Sequence, residues 1–122
     1  TLVDFWGDTT KDDRREATRS FQDVGSKVRF MLSNPATGKF GNTWTRGATV
    51  IYYSNDYNLE HREQSEDRAH RIGQERDVTY IDLRVRNTVD DRILRTLKAK
   101  KKLTDEIVAS NWRWLLAQDQ HL

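Results

Sequence analysis

Short apolar runs alternate with polar and amphipathic stretches along this chain, a pattern typical of mixed α/β proteins. Runs rich in β-branched and aromatic residues predict strands over 2–6, 28–32, 49–53 and 78–85. Helices are predicted over 11–22 and 59–69, and from about residue 89 onward. The order strand, helix, strand, loop, strand, helix, strand, helix predicts an α/β fold with a largely parallel sheet.

Capping residues set the predicted helix starts. Thr9 or Thr10 can accept a hydrogen bond from the first free amides of the first helix. Thr88, followed by Asp91 three residues later, resembles a capping box at the start of the last helix. Apolar residues then recur at helical spacing as far as Val108, which predicts a long amphipathic helix.

Composition narrows the class of protein. The 122 residues suffice for one domain, and only 35% of them are hydrophobic, which is a lean supply for a core. The lack of cysteine excludes disulfides, thiolate metal ligands and a cysteine nucleophile. Three histidines at unrelated spacings predict no metal site. No apolar run is long enough for a membrane span, and a net charge of +2 is too small to indicate nucleic-acid binding by itself.

The predicted helix over 59–69 is unusually polar. Between Leu59 and Ile72 its only apolar residue is Ala69. Its polar residues Gln64, Asp67, Arg68 and Arg71 fall at i, i+3, i+4 and i+7, which predicts a stripe on one helix face. Spacing alone favours a solvated face with i, i+4 ion pairs. The alternative is a face that binds a polyanion, because guanidinium groups stay charged and can bind phosphate oxygens in bidentate fashion.

Two further segments have a functional and a plain interpretation. The loop over 33–47 carries spaced glycines and hydroxyls that suit phosphate contact, yet Gly-rich surface loops are common and no G-x-x-x-x-G-K-[ST] occurs in the chain. Trp44 in this loop either stacks on a base or anchors the loop to the core. The lysine cluster within 98–102 either contacts a phosphate backbone or forms a solvated face.

One string carries a specific family resemblance. Residues 64–74, QSEDRAHRIGQ, resemble motif VI of the SWI/SNF-like superfamily-two helicases and DNA translocases. Residues 33–49 are similar to motif V of that family, with glycines at 38 and 41, Thr43 at the Asn/Thr position, and Lys39 in place of the middle glycine. The resemblance covers about residues 2–110, although motif VI is its only highly specific part.

This resemblance implies the second RecA-like lobe of a two-lobed motor, with a three-layer α/β fold. ATP with Mg²⁺ would bind between the lobes, and the first lobe would supply the phosphate-binding lysine and the Mg²⁺ ligands. Arg68 and Arg71 would be the catalytic arginine fingers. The implied nucleotide-binding residues are Gln64, Asp67, Gly73, Gln74 and Gly41. The implied nucleic-acid-binding residues are Ser33, Asn34, Gly38, Lys39 and Thr43.

The same resemblance sets the expected organisation. Residues 1–122 are expected to form a single second-lobe domain that lacks the family's first strand–helix unit. Its expected partners are the first lobe of the same protein and double-stranded DNA, without a membrane, in the cytoplasm or a eukaryotic nucleus. The full-length protein would hydrolyse ATP, whereas this chain alone is expected to be inactive because it has no P-loop. A non-catalytic nucleic-acid-binding or regulatory module of the same fold is the alternative.

Overall fold

The predicted order of elements is confirmed in a computed structural model of the protein, which describes residues 1–37 and 42–119, with side chains as far as residue 110. The strands are β1 (Leu2–Phe5), β2 (Phe30–Ser33), β3 (Thr49–Tyr52) and β4 (Thr79–Asp82). The helices are α1 (Lys11–Gln22), α2 (Leu59–Glu66) and α3 (Val89–Asp119), with a short 3₁₀ turn at Pro35–Thr37. None of the described helices combines the length and the apolar character that a membrane span requires.

The strands pair in parallel, as predicted, but within the described residues they form two two-stranded sheets. In the first sheet β1 pairs with β2, so that Leu2 lies opposite Phe30. In the second sheet β3 pairs with β4, so that Tyr52 lies opposite Asp82. Because parallel strands need a crossover connection, each pair is joined by a segment that contains a helix, α1 or α2.

The core of the first sheet is a small aromatic cluster. Phe5, Phe21 and Trp44 are buried together. The rings of Phe5 and Trp44 meet edge to face, with their centroids 5.3 Å apart. Phe21 comes from α1, whose narrow apolar stripe also buries Ala17. Thr10 is the N-cap of α1, where its side chain accepts a hydrogen bond from the Asp13 N–H at 3.2 Å.

Helix α2 ends at Glu66, three residues earlier than predicted. The backbone then forms turns, and the Arg68 carbonyl accepts a hydrogen bond from the Trp44 N–H at 2.7 Å. The Ala69 N–H donates to the Glu66 carbonyl at 3.2 Å and not to the Ser65 carbonyl that an α-helix would use, so the helical ladder is broken after Glu66. The prediction of a polar stripe on one helix face is therefore wrong, since Arg68 and Arg71 lie beyond the end of α2.

The chain divides into two compact units. The first comprises Thr1–Tyr53 and Glu60–Leu83 and contains both sheets. The second comprises Ser54–Leu59 and Arg84–Leu122 and contains α3. At the start of α3 the predicted capping box is modified, because the Thr88 hydroxyl accepts from the Asp90 N–H at 3.2 Å instead of from residue 91.

Candidate functional site

The turn that follows α2 carries both candidate catalytic arginines, and we refer to residues 67–74 as the arginine turn. Arg71, Ile72 and Gly73 are exposed at its tip. Gly73 has a φ of +100°, a backbone conformation that residues with a Cβ rarely adopt. The Gln74 N–H donates to the Arg71 carbonyl at 3.0 Å, which closes the turn. The local backbone therefore presents Arg71 at the surface.

Gln74 binds the arginine turn to the segment 44–47. Its amide nitrogen lies 2.8 Å from the Thr45 carbonyl oxygen and 3.0 Å from that of Gly47. A third contact of 3.1 Å reaches the Ala69 carbonyl oxygen within the turn itself. The side-chain oxygen of Gln74 accepts from the Arg76 N–H at 3.1 Å. One amide side chain thus links both ends of the turn to a neighbouring segment.

Trp44 contacts the other end of the arginine turn. Besides the backbone bond to the Arg68 carbonyl, its ring lies beneath the Arg68 guanidinium, with 4.7 Å from Cζ to the ring centroid. The indole is 8% exposed, and its Nε1–H donates to the Thr18 hydroxyl of α1 at 3.2 Å. Of the two interpretations of Trp44, the structure supports the one in which this residue anchors its loop to the core.

Arg68 is buried and poorly paired. It is 3% exposed, and its Nε has no hydrogen-bond partner among the described residues. Its terminal nitrogens lie 3.4 Å from the Ser33 hydroxyl and 3.5 Å from the Pro35 carbonyl oxygen, at the limit of hydrogen bonding. Burial lowers the pKa of its guanidinium from the ordinary value. This side chain therefore has unused capacity to bind an anion.

A polar network, which sequence reasoning missed, docks α2 onto the second sheet. Arg62 forms ion pairs with Glu66 at 2.7 Å and with Asp82 of β4 at 2.5 Å, and its Cζ lies 3.6 Å from the centroid of the Tyr52 ring. Burial alone would lower the pKa of Arg62, but the hydrogen bonds that it donates to the two carboxylates raise the pKa overall. The Tyr52 hydroxyl lies 2.6 Å from that of Ser65. The sequence signal for this network was the carboxylate of Asp82, which lies between apolar residues of the predicted strand over 78–85.

The predicted nucleotide-binding residues do not all lie in the arginine turn. Gln64 is half-buried on α2 and donates to the Glu60 side chain at 2.9 Å, while Asp67 is exposed at the start of the arginine turn. Gly73 and Gln74 lie in the same turn, as described above. Gly41 lies outside the described residues.

The predicted nucleic-acid-binding residues lie after β2. Ser33 ends that strand and is the partner of Arg68 described above. Asn34 is exposed, and its side-chain oxygen accepts from the Ala36 N–H at 2.9 Å. Thr43 is half-buried, whereas positions 38 and 39 lie outside the described residues. The structure thus places the start of this segment beside the arginine turn.

The lysine cluster within 98–102 lies on exposed positions of α3. The ammonium of Lys100 donates to the Tyr57 carbonyl at 2.6 Å, and that of Lys102 lies 4.0 Å from the Glu106 carboxylate. These contacts agree with a solvated helix face.

No family model matches the chain, but curated proteins do. The chromatin-remodeling ATPase INO80 of Mycosarcoma maydis is 38% identical over 98 residues, and that of Candida albicans is 38% identical over 104 residues. The ATP-dependent helicase brm of Drosophila melanogaster is 33% identical over 102 residues. These matches cover 80%, 85% and 84% of this chain, which spans 5%, 7% and 6% of the respective relatives.

A solved structure is also similar. The C-terminal part of the Fun30 ATPase domain aligns with a TM-score of 0.73 and 23% sequence identity. The alignment covers 80% of this chain and 31% of that one. This likeness shows the fold, which is that of a RecA-like α/β lobe.

Proposed function

We propose that this chain, a homologue of the SWI/SNF-like ATPases over about 80% of its length, is the C-terminal RecA-like lobe of an ATP-dependent DNA translocase. The relatives are ATPases, and the intact protein that carries such a lobe is proposed to hydrolyse ATP. Because the sequence contains no P-loop, we propose that the 122-residue chain does not turn over ATP by itself.

The arginine turn is the observation that carries this proposal. It presents Arg71 at an exposed tip, next to a left-handed glycine, and Gln74 binds it to the segment 44–47. A guanidinium fixed in this way can approach the terminal phosphate of ATP bound on another lobe and stabilise the charge that develops during phosphoryl transfer. Arg71 is thus the proposed arginine finger.

Arg68 is proposed as the second arginine of the site, behind Arg71. Its unpaired Nε and its long contacts to Ser33 and Pro35 leave donors for an anion. Because Arg68 is only 3% exposed, it can reach a phosphate only after a local rearrangement of the residues that cover it. Gln64, Asp67 and Gly73 are proposed to border the nucleotide.

The remaining roles concern partners. Mg²⁺ is proposed to accompany ATP, with its ligands on the first lobe, as the family resemblance implies and as ATP use by the relatives supports. The segment after β2, with Ser33, Asn34 and Thr43, is proposed to contact the backbone of double-stranded DNA. The chromatin-remodelling role of the INO80 relatives supports a proposed nuclear location.

The proposal is tested by Arg71→Ala in the intact ATPase that contains this chain. Loss of the finger is expected to lower the kcat for DNA-stimulated ATP hydrolysis by about 10³-fold, with the KM for ATP changed by less than about threefold. Arg95→Ala is the matched control, since Arg95 is an exposed arginine of α3 outside the turn. A near-normal kcat for Arg71→Ala contradicts the proposal.

A further inference from the structure

Trp44 contacts the arginine turn, helix α1 and strand β1. Its backbone N–H binds the Arg68 carbonyl at 2.7 Å, and its ring face lies against the guanidinium of the same residue. The indole N–H donates to the Thr18 hydroxyl on α1, and the ring makes a T-shaped contact with Phe5 of β1. Trp44 therefore links the turn to a helix and a strand of the same compact unit.

We propose that Trp44 is a positioning residue for the ATPase site, which sets the geometry of the arginine turn through Arg68. This inference rests on the proposed function, because it assigns Trp44 a role in the same site. Trp44 is buried, and it acts by fixing the base of the turn whose tip carries Arg71.

The electrostatics of Arg68 explain why an aromatic ring suits this position. Among the described residues no carboxylate pairs with the buried guanidinium, and its two polar contacts are 3.4 and 3.5 Å long. The electron-rich face of an indole attracts a cation, and it does so more strongly in a site without water. The ring of Trp44 thus gives the buried guanidinium of Arg68 a favourable contact that its two long polar contacts do not replace.

The C-terminal end of the arginine turn, at Gln74, is also bound to the segment that contains Trp44. Gln74 binds the carbonyls of Thr45 and Gly47, which follow Trp44 directly in the chain. The segment 44–47 therefore contacts the turn at residue 68 and again at residue 74. Displacement of Trp44 shifts both contacts, and a displacement of about 1 Å at a catalytic group can cost about 10²-fold in rate.

The experiment is a variant series in the intact ATPase. Trp44→Leu removes the ring face but keeps the backbone N–H, and Trp44→Phe restores a ring face without the indole N–H. We expect Trp44→Leu to lower kcat by about tenfold or more, with a KM for ATP within about threefold of the unaltered protein. Trp44→Phe is expected to recover most of this loss. Met31→Ala is the control, since Met31 packs on the same cluster and lies in β2.

Several outcomes overturn the inference. These are a normal kcat for Trp44→Leu, a Phe variant as impaired as the Leu variant, and an equal loss of kcat in Met31→Ala. All rates are measured at a temperature at which circular dichroism shows each variant to be folded. If Arg71→Ala is normal, the proposed function fails; if Arg71→Ala is impaired and Trp44→Leu is normal, only the role of Trp44 fails.

A second measurement covers the case in which Trp44→Leu does not fold. In the unaltered 122-residue chain, the ring current of Trp44 should shift the NMR signals of the Arg68 side chain upfield, and Arg68→Lys assigns them. Arg68 signals at their ordinary positions overturn the inference without any enzyme assay.

Discussion

Gln74 illustrates how much a single uncharged side chain can determine at this site. Its amide contacts three backbone carbonyls, those of Thr45, Gly47 and Ala69. Such carbonyls in a half-buried loop cost free energy when they lose their donors. The residue connects two segments that are about 27 residues apart in sequence.

Gln74→Ala is therefore expected to destabilise the first compact unit by about 2 kcal/mol, because it removes the donor that these carbonyls share. The measurement is amide hydrogen exchange at Phe5 and Tyr52, two buried strand residues of that unit. Gln64→Ala is the matched control for stability. The Gln64 amide donates to the exposed side chain of Glu60, so its loss should change little. Equal effects of the two variants contradict this account of Gln74.

At the scale of elements, α2 packs through polar contacts. Its one buried residue is Ser65, and its docking onto β3 and β4 depends on Tyr52, Arg62 and Asp82. The bidentate contact of Arg62 with Asp82 has N–O distances of 2.5 and 3.2 Å, which is a favourable geometry for a charged pair. This network explains how a helix with almost no apolar residues packs on a sheet.

Asp82→Asn should destabilise the same unit by about 2 kcal/mol, because it leaves the half-buried Arg62 without one of its two carboxylates. Hydrogen exchange at Tyr52 measures the change. Glu16→Gln, which alters the exposed Glu16–Arg19 pair of α1, is the control and should leave the exchange unchanged. A neutral Asp82→Asn variant would mean that the pair contributes nothing to docking.

The sequence allowed prediction of every strand and α-helix of the described residues, because strand and helix patterns are local, but not of the 3₁₀ turn at Pro35–Thr37. It misplaced the end of α2, because the turns after Glu66 are held by tertiary contacts, among them the bond from the Trp44 N–H to the Arg68 carbonyl. The candidate arginines were found through a contiguous string, QSEDRAHRIGQ, in residues 64–74. That one of them is buried and the other exposed depends on tertiary contacts, which no spacing along the chain encodes.

At the scale of the whole molecule, the two compact units differ in how they are stabilised. The first has the aromatic cluster and the polar network described above. In the second, Ile93 and Leu97 of α3 are buried, but every described side chain over 98–110 is exposed. Without tertiary contacts, a helix depends on intrinsic propensity, which gives only marginal stability.

Amide exchange along α3 should follow this division. Amides over 101–110 are expected to exchange faster than those over 90–97, because no buried side chain holds that part of the helix. Hydrogen exchange with mass spectrometry measures the gradient, and a tenfold dilution is the control. Uniform protection contradicts the prediction; protection that falls on dilution would show that association of chains covers Leu103 and Ile107.

The bond between the Trp44 N–H and the Arg68 carbonyl also bears on protein engineering. It shows that the turn that carries the arginines is supported by a hydrogen bond from outside the string 64–74. A designer who transplants residues 64–74 alone into another scaffold transfers two arginines without the segment 44–47 that binds their turn. The structural unit consists of two separate pieces of the chain, the segment 44–47 and the arginine turn. A graft should therefore include both.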